Sequence, residues 1–278
     1  MGMMKIAIYG KGGIGKSTTT SNLSVALAER GLKVMQIGCD PKADSTQNLT
    51  GGQRIPTVLD LLRADEESVR LEDIVRVGDA GVLCVEAGGP TPGIGCAGRG
   101  IITAFEKLAE LDAYRVHKPD VVLYDVLGDV VCGGFAMPLR KQYADLVYIV
   151  TSGEKMSLYA AGNIMAALEN FKARGYARLA GLIQNSRNVA NEDALISELA
   201  AEAGVPVAAR IPRSPDIQRA EDLGRTAVAA FPESPVAQVY RDLAEHIVNR
   251  FAEFEQAGGA TGGATKAGGA TGGAASHA

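Results

Sequence analysis

Two kinds of chemistry share one short stretch of the chain, YDVLGDVVCGG, residues 124–134. Asp125 and Asp129 carry hard carboxylate oxygens, which are the ligands that Mg²⁺ prefers. Cys132 carries a soft thiol, which suits an iron–sulfur cluster and is a poor ligand for Mg²⁺. The segment is therefore a candidate for both a nucleotide-bound metal and a sulfur-ligated metal group, and each needs further ligands from elsewhere in the chain.

A phosphate-binding loop is indicated by GKGGIGKST, residues 10–18, which follows a predicted strand and opens a predicted helix. It matches G-x-x-x-x-G-K-[ST], in which glycines free backbone N–H groups to surround phosphates. We expect Lys16 to reach the β- and γ-phosphates and Ser17 to ligate Mg²⁺. The predicted nucleotide-binding residues of this loop are Gly10, Lys11, Gly12, Gly13, Ile14, Gly15, Lys16, Ser17 and Thr18.

A second lysine, Lys11, stands at the start of this loop, as it does in the deviant Walker A class. In that class the extra lysine reaches across a dimer to the nucleotide of the other subunit. The alternative is a solvated loop lysine. We predict a catalytic role for Lys11 alongside Lys16.

Acidic residues follow two further predicted strands. Asp40 and Asp44 lie in GCDPKADST, residues 38–46, where carboxylates can order a metal-bound water; a plain polar turn is the alternative. Asp125 ends an apolar strand in the Walker B arrangement and is predicted to face Mg²⁺. Asp129 is placed to orient or deprotonate the attacking water. We predict catalytic roles for Asp40, Asp44 and Asp129.

The four cysteines differ in their surroundings. Cys96, in GGPTPGIGCAGRG, and Cys132 lie in glycine-rich loops, whose N–H groups can hydrogen-bond cluster sulfides. Cys39 and Cys84 lie within or beside apolar strands and are predicted to be packed thiols. Two ligands are half of what a [4Fe–4S] cluster needs, and a symmetric dimer would supply the rest. The alternative for Cys96 and Cys132 is that they are small buried residues in turns.

The elements that must position these residues alternate between strand and helix. Apolar runs predict strands at 4–9, 33–38, 82–86, 121–125, 146–151, 179–185 and 207–211. Helical patterns fall at 17–30 and around 100–112, 155–174, 191–203 and 235–252. Apolar strands between helices predict an α/β fold, a mainly parallel sheet flanked by helices in a single P-loop NTPase-type domain over residues 1–254. Residues 255–278, rich in Gly, Ala and Thr, are predicted to be a flexible tail.

Composition excludes several classes of function. The 278 residues carry a formal net charge of −4, so no basic excess points to nucleic acid or a membrane surface. The apolar runs are shorter than the roughly 20 residues of a membrane-spanning helix. The first residues run straight into glycines and do not resemble a signal peptide. We expect a cytoplasmic protein.

The motifs together resemble the nitrogenase iron protein (dinitrogenase reductase) family across nearly all of residues 4–250. The matching stretches are YGKGGIGKSTTT, GCDPKADST, GGPTPGIGCAGRG, YDVLGDVVCGGFAMP, LYAAGNI, NSR at 185–187 and QRAE at 218–221. Partitioning and septum-positioning ATPases share the first motif but lack the two cysteine loops.

The resemblance implies a homodimer with one [4Fe–4S] cluster at the subunit interface, held by Cys96 and Cys132 of each chain. It implies that each subunit binds MgATP and that hydrolysis is coupled to delivery of single electrons to a larger nitrogenase-like catalytic component. Ferredoxin or flavodoxin is the implied electron source. Lys42, Asn185 and Arg213 match further nucleotide-site positions. Arg99 matches a docking-surface arginine that is ADP-ribosylated in some members.

Departures from nitrogenase iron proteins bear on the catalytic partner. Thr91 stands where Glu is usual, Gln184 replaces a Cys, and Ser214-Pro215 replaces an Asp-Asn pair. We therefore expect a reductase component of a nitrogenase-like system such as methylthio-alkane reductase, with nitrogen fixation proper as the alternative. A non-redox positioning ATPase and an iron–sulfur carrier are more distant alternatives.

Overall fold

One eight-stranded sheet runs through the computed structural model, which describes residues 2–89, 97–128, 137–140, 142–171 and 176–258. The strands are β1 (Met4–Tyr9), β2 (Val34–Gly38), β3 (Arg76–Val77), β4 (Leu83–Glu86), β5 (Val121–Asp125), β6 (Leu146–Thr151), β7 (Arg178–Asn185) and β8 (Val207–Ile211). Their order is β3-β4-β2-β5-β1-β6-β7-β8. Every neighbouring pair is parallel except β3 and β4. The predicted fold class is confirmed.

Helices cover both faces of the sheet. They are α1 (Lys16–Glu29), α2 (Val58–Asp65), α3 (Leu71–Ile74), α4 (Ala97–Glu110), α5 (Ala113–His117), α6 (Lys155–Phe171), α7 (Glu192–Glu202), α8 (Pro215–Asp222), α9 (Ala227–Ala230) and α10 (Pro235–Gln256). The apolar sides of α4, α6 and α7 pack on one face, and those of α1 and α10 pack on the other. None of the helices within the described ranges is both long and apolar enough to cross a bilayer.

The predicted strands agree closely with the observed ones. Four have the predicted bounds and three begin one residue away. The short elements α2, α3, β3, α8 and α9 were not predicted. The predicted helix around 100–112 corresponds to α4, which ends at Glu110; Asp112, with a φ of 52°, then precedes α5, which the sequence does not predict. Helix α10 continues to Gln256, and residues 259–278 lie outside the described part of the chain, so the flexible tail stays a prediction.

The strand register brings four loops to one edge of the sheet. Gly38, the last residue of β2, pairs with Glu86 of β4 on one side and with Asp125 of β5 on the other. Asp125 in turn pairs with Ile8 of β1. The carboxyl ends of these four strands are therefore level, and this is the edge at which open α/β sheets bind their ligands.

Glu86 is a buried carboxyl group at this edge. Its Oε1 accepts hydrogen bonds from the backbone N–H and the hydroxyl of Thr46, both at 2.7 Å. Its Oε2 is buried without a hydrogen-bond partner among the described residues. Burial raises the pKa of Glu86 to about 8, although the two bonds from Thr46 act in the opposite direction. The folded protein therefore holds a proton here that the unfolded chain would lose at neutral pH.

We predict that Glu86→Gln flattens the dependence of the free energy of unfolding on pH. The pKa of Glu86 is about 8 in the folded state and has an ordinary value of 4.5. Between these two pH values the folded state binds more protons than the unfolded state, so its stability falls as pH rises towards 8. Between roughly pH 6 and pH 8 the wild type loses about 2–3 kcal/mol of its free energy of unfolding through this carboxyl group, and the glutamine variant does not. Urea unfolding of the nucleotide-free protein measures the difference. The exposed Glu202→Gln is the control, and parallel profiles for Glu86→Gln and wild type would contradict the assignment.

Candidate functional site

A buried ion pair lies at the centre of the site. Lys16 Nζ is 3.6 Å from Asp125 Oδ1, and the two side chains are 6% and 0% exposed. Neither carboxylate oxygen of Asp125 has a hydrogen-bond partner within the described ranges. Buried carboxylates are normally hydrogen-bonded because removing them from water is costly. Two such oxygens beside the phosphate-binding lysine fit a Mg²⁺–phosphate group.

The loop before α1 has the shape of a phosphate-binding loop. Gly15 has a φ of 92° and forms the N-cap of α1, a conformation that favours glycine. A Cβ at Gly15 would also lie 2.4 Å from Asn185 Nδ2. Ser17 and Lys11 are half-buried, whereas Gly12 and Gly13 are exposed. The free N–H groups at the start of α1 can therefore meet an anion.

A second segment, at the end of β7, contacts the same loop. Asn185 Nδ2 donates to the carbonyl oxygen of Ile14 at 2.6 Å, and the Arg187 guanidinium donates to that of Gly13 at 2.8 Å. Asn185 pairs with Ile211 of β8, which precedes Arg213 by two residues. The structure thus places Asn185 against the loop itself and the exposed Arg213 at the same edge.

Three contacts at the site involve residues outside the predicted site, namely Glu192, Arg187 and Glu221. Thr18 Oγ1 donates to Glu221 Oε1 at 2.6 Å, which ties the loop to α8. Glu192 Oε1 accepts from the backbone N–H groups of Gly153 and Arg187, at 2.8 and 3.1 Å. Arg187 ends the NSR motif and Glu221 ends the QRAE motif, so the sequence does mark both residues. Their contacts could not be predicted because the partners include residues distant in sequence. Glu192 carries no sequence signal.

The predicted aspartates after β2 are separated in the structure. Asp40 is 8% exposed, and its Oδ1 accepts from the backbone N–H of Lys42 at 2.9 Å. Asp44 and Lys42 are exposed. The backbone N–H of Cys39 donates to the carbonyl oxygen of Asp125 at 2.9 Å. The loop therefore begins beside the Lys16–Asp125 pair, and its later part reaches the surface.

The segment after β5 packs directly on the phosphate loop. The backbone N–H of Val126 donates to the carbonyl oxygen of Ile8 at 3.0 Å. A Cβ at Gly128 would lie 1.8 Å from the carbonyl oxygen of Gly10 and 2.8 Å from the backbone nitrogen of Lys11. Only glycine fits this approach, so a displacement of either backbone must move the other.

The predicted cluster ligands Cys96 and Cys132 lie outside the described residues, as does Asp129. Arg99 is exposed in the first turn of α4. Cys39 and Cys84 are buried, and burial raises the pKa of both thiols, that of Cys84 to about 12. Because iron is ligated by thiolates, these two residues do not fit as ligands. No group of three or more His, Cys, Asp or Glu within the described ranges could hold a metal.

Solved structures with this fold include deviant Walker ATPases. The cell division ATPase MinD of Pyrococcus furiosus is 27% identical with a TM-score of 0.68, over 90% of this chain and 99% of that one. The septum site-determining protein MinD of Pyrococcus horikoshii OT3, solved with Mg-ADP, is 28% identical with a TM-score of 0.68, over 92% and 99%. The P-loop NTPase fold follows from these two likenesses.

Sequence relatives are more similar. A nitrogenase iron protein of Methanospirillum hungatei is 55% identical over 88% of this chain and 88% of its own length. Nitrogenase iron protein 2 of Paenibacillus durus is 51% identical over 88% of this chain and 84% of its own. The family model described as 4Fe-4S iron sulfur cluster binding proteins, NifH/frxC family, matches residues 4–254. The resemblance read from the motifs is confirmed: the chain belongs to this family of ATP-hydrolysing reductases, which use a [4Fe–4S] cluster and MgATP.

Proposed function

We propose that this chain is the ATP-gated one-electron donor of a nitrogenase-like system, such as methylthio-alkane reductase, and delivers electrons to a larger catalytic component as a homodimer. The observation that carries the proposal is the pair of buried Asp125 oxygens beside Lys16. The strand that ends at Asp125 continues through Gly128, which packs on the phosphate loop, towards Cys132 in sequence. One segment therefore joins the nucleotide site to a cysteine loop.

Nucleotide binding follows from the loop and the ion pair. The N–H groups at the start of α1 and the Lys16 ammonium bind the phosphates. Ser17 and Asp125 would hold Mg²⁺, which would give the two Asp125 oxygens a partner that the described residues do not supply. We assign Asn185 and Arg213, at the same edge of the sheet, to the binding of the base.

Hydrolysis requires a water positioned at the γ-phosphate. We assign Asp40, which is buried, to the ordering of that water, and Asp44 and Asp129 to the same task. Lys11 of a second subunit would neutralise charge that develops on the phosphate. Exposure of Asp44 means that its part depends on a movement of its loop towards the nucleotide.

Coupling to the redox group passes through backbone contacts. Because Gly128 packs against the backbone of Gly10 with no room for a Cβ, a change in the shape of the phosphate loop would displace the segment after β5. That segment leads to Cys132, which with Cys96 of each chain would hold the cluster. The bound cluster supplies a one-electron reductant.

The catalytic partner is inferred from the departures in sequence. Gln184 Nε2 donates to Ser186 Oγ at 3.1 Å and to Asp193 Oδ1 at 2.6 Å. The Ser214 hydroxyl caps α8, and Pro215 occupies its first turn. Both changes lie beside Asn185 and Arg213 and leave the phosphate loop intact, which is consistent with retained ATP hydrolysis. The altered client is inferred from Thr91, which is near Cys96 in sequence, where docking would be affected.

Two other functions have specific support. Identity of 55% to a nitrogenase iron protein favours nitrogen fixation proper as the second candidate client. The likeness to MinD at 27–28% identity favours a non-redox positioning ATPase, which would contain no iron. An iron–sulfur carrier would lose its cluster to a partner during turnover, whereas an electron donor keeps it.

We predict that Gly128→Ala destabilises the protein by about 1–3 kcal/mol and weakens MgATP binding, because the new methyl group meets the Gly10 backbone. Gly162→Ala in α6 is the matched control, since its Cβ would meet no atom within 4 Å. Urea unfolding and calorimetric titration with MgATP compare the two variants. Equal stability and equal affinity would show that the segment after β5 does not bear on the loop.

We predict that Cys132→Ala loses the bound iron while MgATP still binds, because the thiolate is replaced and the phosphate loop is unchanged. Cys84→Ala removes a buried thiol of raised pKa and is expected to keep wild-type iron. Iron analysis and visible spectra of anaerobic preparations measure both. Wild-type iron in Cys132→Ala would remove it from the ligand set, and an iron-free wild type would favour the positioning ATPase.

We predict that the dithionite-reduced protein supports substrate reduction by a methylthio-alkane reductase catalytic component in the presence of MgATP. Support for a nitrogen-fixing catalytic component is expected to be at least about tenfold weaker, which corresponds to a docking difference near 1.4 kcal/mol. The comparison is made by measuring the product formed with each catalytic component at matched rates of ATP hydrolysis. Preference for the nitrogen-fixing component would overturn the assignment of the client.

A further inference from the structure

A polar side chain lies inside the otherwise apolar strand β2. Gln36 is 0% exposed, with Met35 and Ile37 beside it in the strand. Its Oε1 accepts a hydrogen bond from Ser24 Oγ at 2.7 Å. Its Nε2 donates to the carbonyl oxygen and the hydroxyl of Ser45, at 2.9 and 3.0 Å, and lies 3.2 Å from Ser21 Oγ. Both ends of the amide therefore have partners.

The partners of Gln36 belong to two different functional segments. Ser21 and Ser24 lie on α1, the helix that begins at Lys16. Ser45 follows Asp44 in the loop after β2. Ser21 Oγ also donates directly to the carbonyl oxygen of Ser45 at 3.0 Å. The amide thus joins the phosphate-binding helix to the loop that carries Asp40 and Asp44.

The same loop is tied to β4 one residue further on. The backbone N–H and hydroxyl of Thr46 both donate to Glu86 Oε1 at 2.7 Å. A Cβ at Gly38 would lie 2.0 Å from Glu86 Oε2 and 2.7 Å from Ser45 Cβ, so Gly38, Glu86 and Ser45 are closely packed. After Glu86 the chain leads towards Cys96. The contacts form a continuous chain from α1 to the strand before that cysteine.

Packing alone does not call for an amide at this position. An apolar side chain would fill the interior of β2 without the desolvation that a buried amide requires, and a partly satisfied network is worse than an apolar core. The hydrogen bonds of the Gln36 amide are formed with α1 and with the loop after β2, and they persist only while these two segments keep one relative position. The amide therefore fixes where the loop after β2 sits against α1.

We propose that Gln36 is a positioning residue that holds the Asp40–Asp44 loop on the phosphate-binding helix, so that a nucleotide-dependent shift of α1 moves Ser45 and Thr46 and, through Glu86, the strand that precedes Cys96. The step from α1 to the loop concerns ATP hydrolysis alone. Only the last step, towards Cys96, rests on the proposed function.

The first test compares Gln36→Met with Ser24→Ala in the full-length dimer. Gln36→Met keeps the side-chain volume but removes both hydrogen bonds to Ser45, each worth about fivefold, so kcat for ATP hydrolysis falls on the order of tenfold. KM for ATP stays within about twofold because Lys16 and its loop are unchanged. Ser24→Ala breaks one of the two contacts of the amide with α1 and leaves the bonds to Ser45, so kcat is expected to fall about threefold. Wild-type kcat in Gln36→Met would overturn the proposal.

A milder variant and a structural readout keep this test decisive if Gln36→Met fails to fold. Ser21→Ala removes the direct bond to the Ser45 carbonyl oxygen, and kcat is expected to fall about threefold. Amide hydrogen exchange reports the loop itself: MgATP is expected to protect residues 40–46 in wild type, and this protection is expected to be reduced in Ser24→Ala and lost in Ser21→Ala and Gln36→Met. Unchanged protection in Ser21→Ala would overturn the proposal, because a merely structural role changes stability and leaves the nucleotide response intact.

A double-mutant cycle tests whether the contacts act as one link. Thr46→Val removes the hydroxyl bond to Glu86, and its effect on the nucleotide-dependent rate of iron removal by a chelator is expected to be less than additive with that of Gln36→Met. Additive effects would overturn the last step. Iron content of the wild type is measured separately, so an iron-free protein would refute the proposed function while ATP hydrolysis and hydrogen exchange still decide the role of Gln36.

Discussion

The buried Lys16–Asp125 pair is the constraint on which the rest of the structure depends. Removing two charges from water costs several kcal/mol per ion unless other partners complete their hydrogen bonding. Strands β1 and β2 flank Asp125 on both sides, and the bonds from Cys39 to the Asp125 carbonyl and from Val126 to Ile8 hold the strand ends level. Since no residue in the described ranges donates a hydrogen bond to either carboxylate oxygen, we propose that a nucleotide-bound Mg²⁺ completes the pair.

The central sheet was predictable from sequence because its strands are buried on both faces and therefore read as continuous apolar runs. The missed elements lack any such pattern. Strand β3 has two residues, both exposed, and α3 and α9 are single turns. In α8 only Ala220 is buried, so no apolar stripe marks it. Helix α2 did carry a start signal, since the Thr57 hydroxyl accepts from the backbone N–H of Asp60, but eight residues offer little periodicity.

The candidate site likewise has one part that is predictable from a local motif and another part that depends on contacts between residues far apart in sequence. The phosphate loop is a continuous motif, so its glycines, Lys16 and Ser17 were found from spacing alone. The contacts of Asn185 with Ile14 and of Glu221 with Thr18 join residues far apart in sequence, which no local pattern encodes. Gln36 had a readable signal, a polar residue inside the apolar run KVMQIG, but its meaning depends on where Ser21, Ser24 and Ser45 lie.

Strand order would let the proposed nucleotide site act on both cysteine-bearing segments. In the order β4-β2-β5 the strand that carries the Asp40–Asp44 loop is the neighbour of both strands that lead to cysteines, β4 to Cys96 and β5 to Cys132. Glu86 joins that loop to β4 through Thr46, and the Cys39–Asp125 backbone bond joins it to β5. A shift of the central loop therefore bears on both neighbours at once, without a long path through the protein.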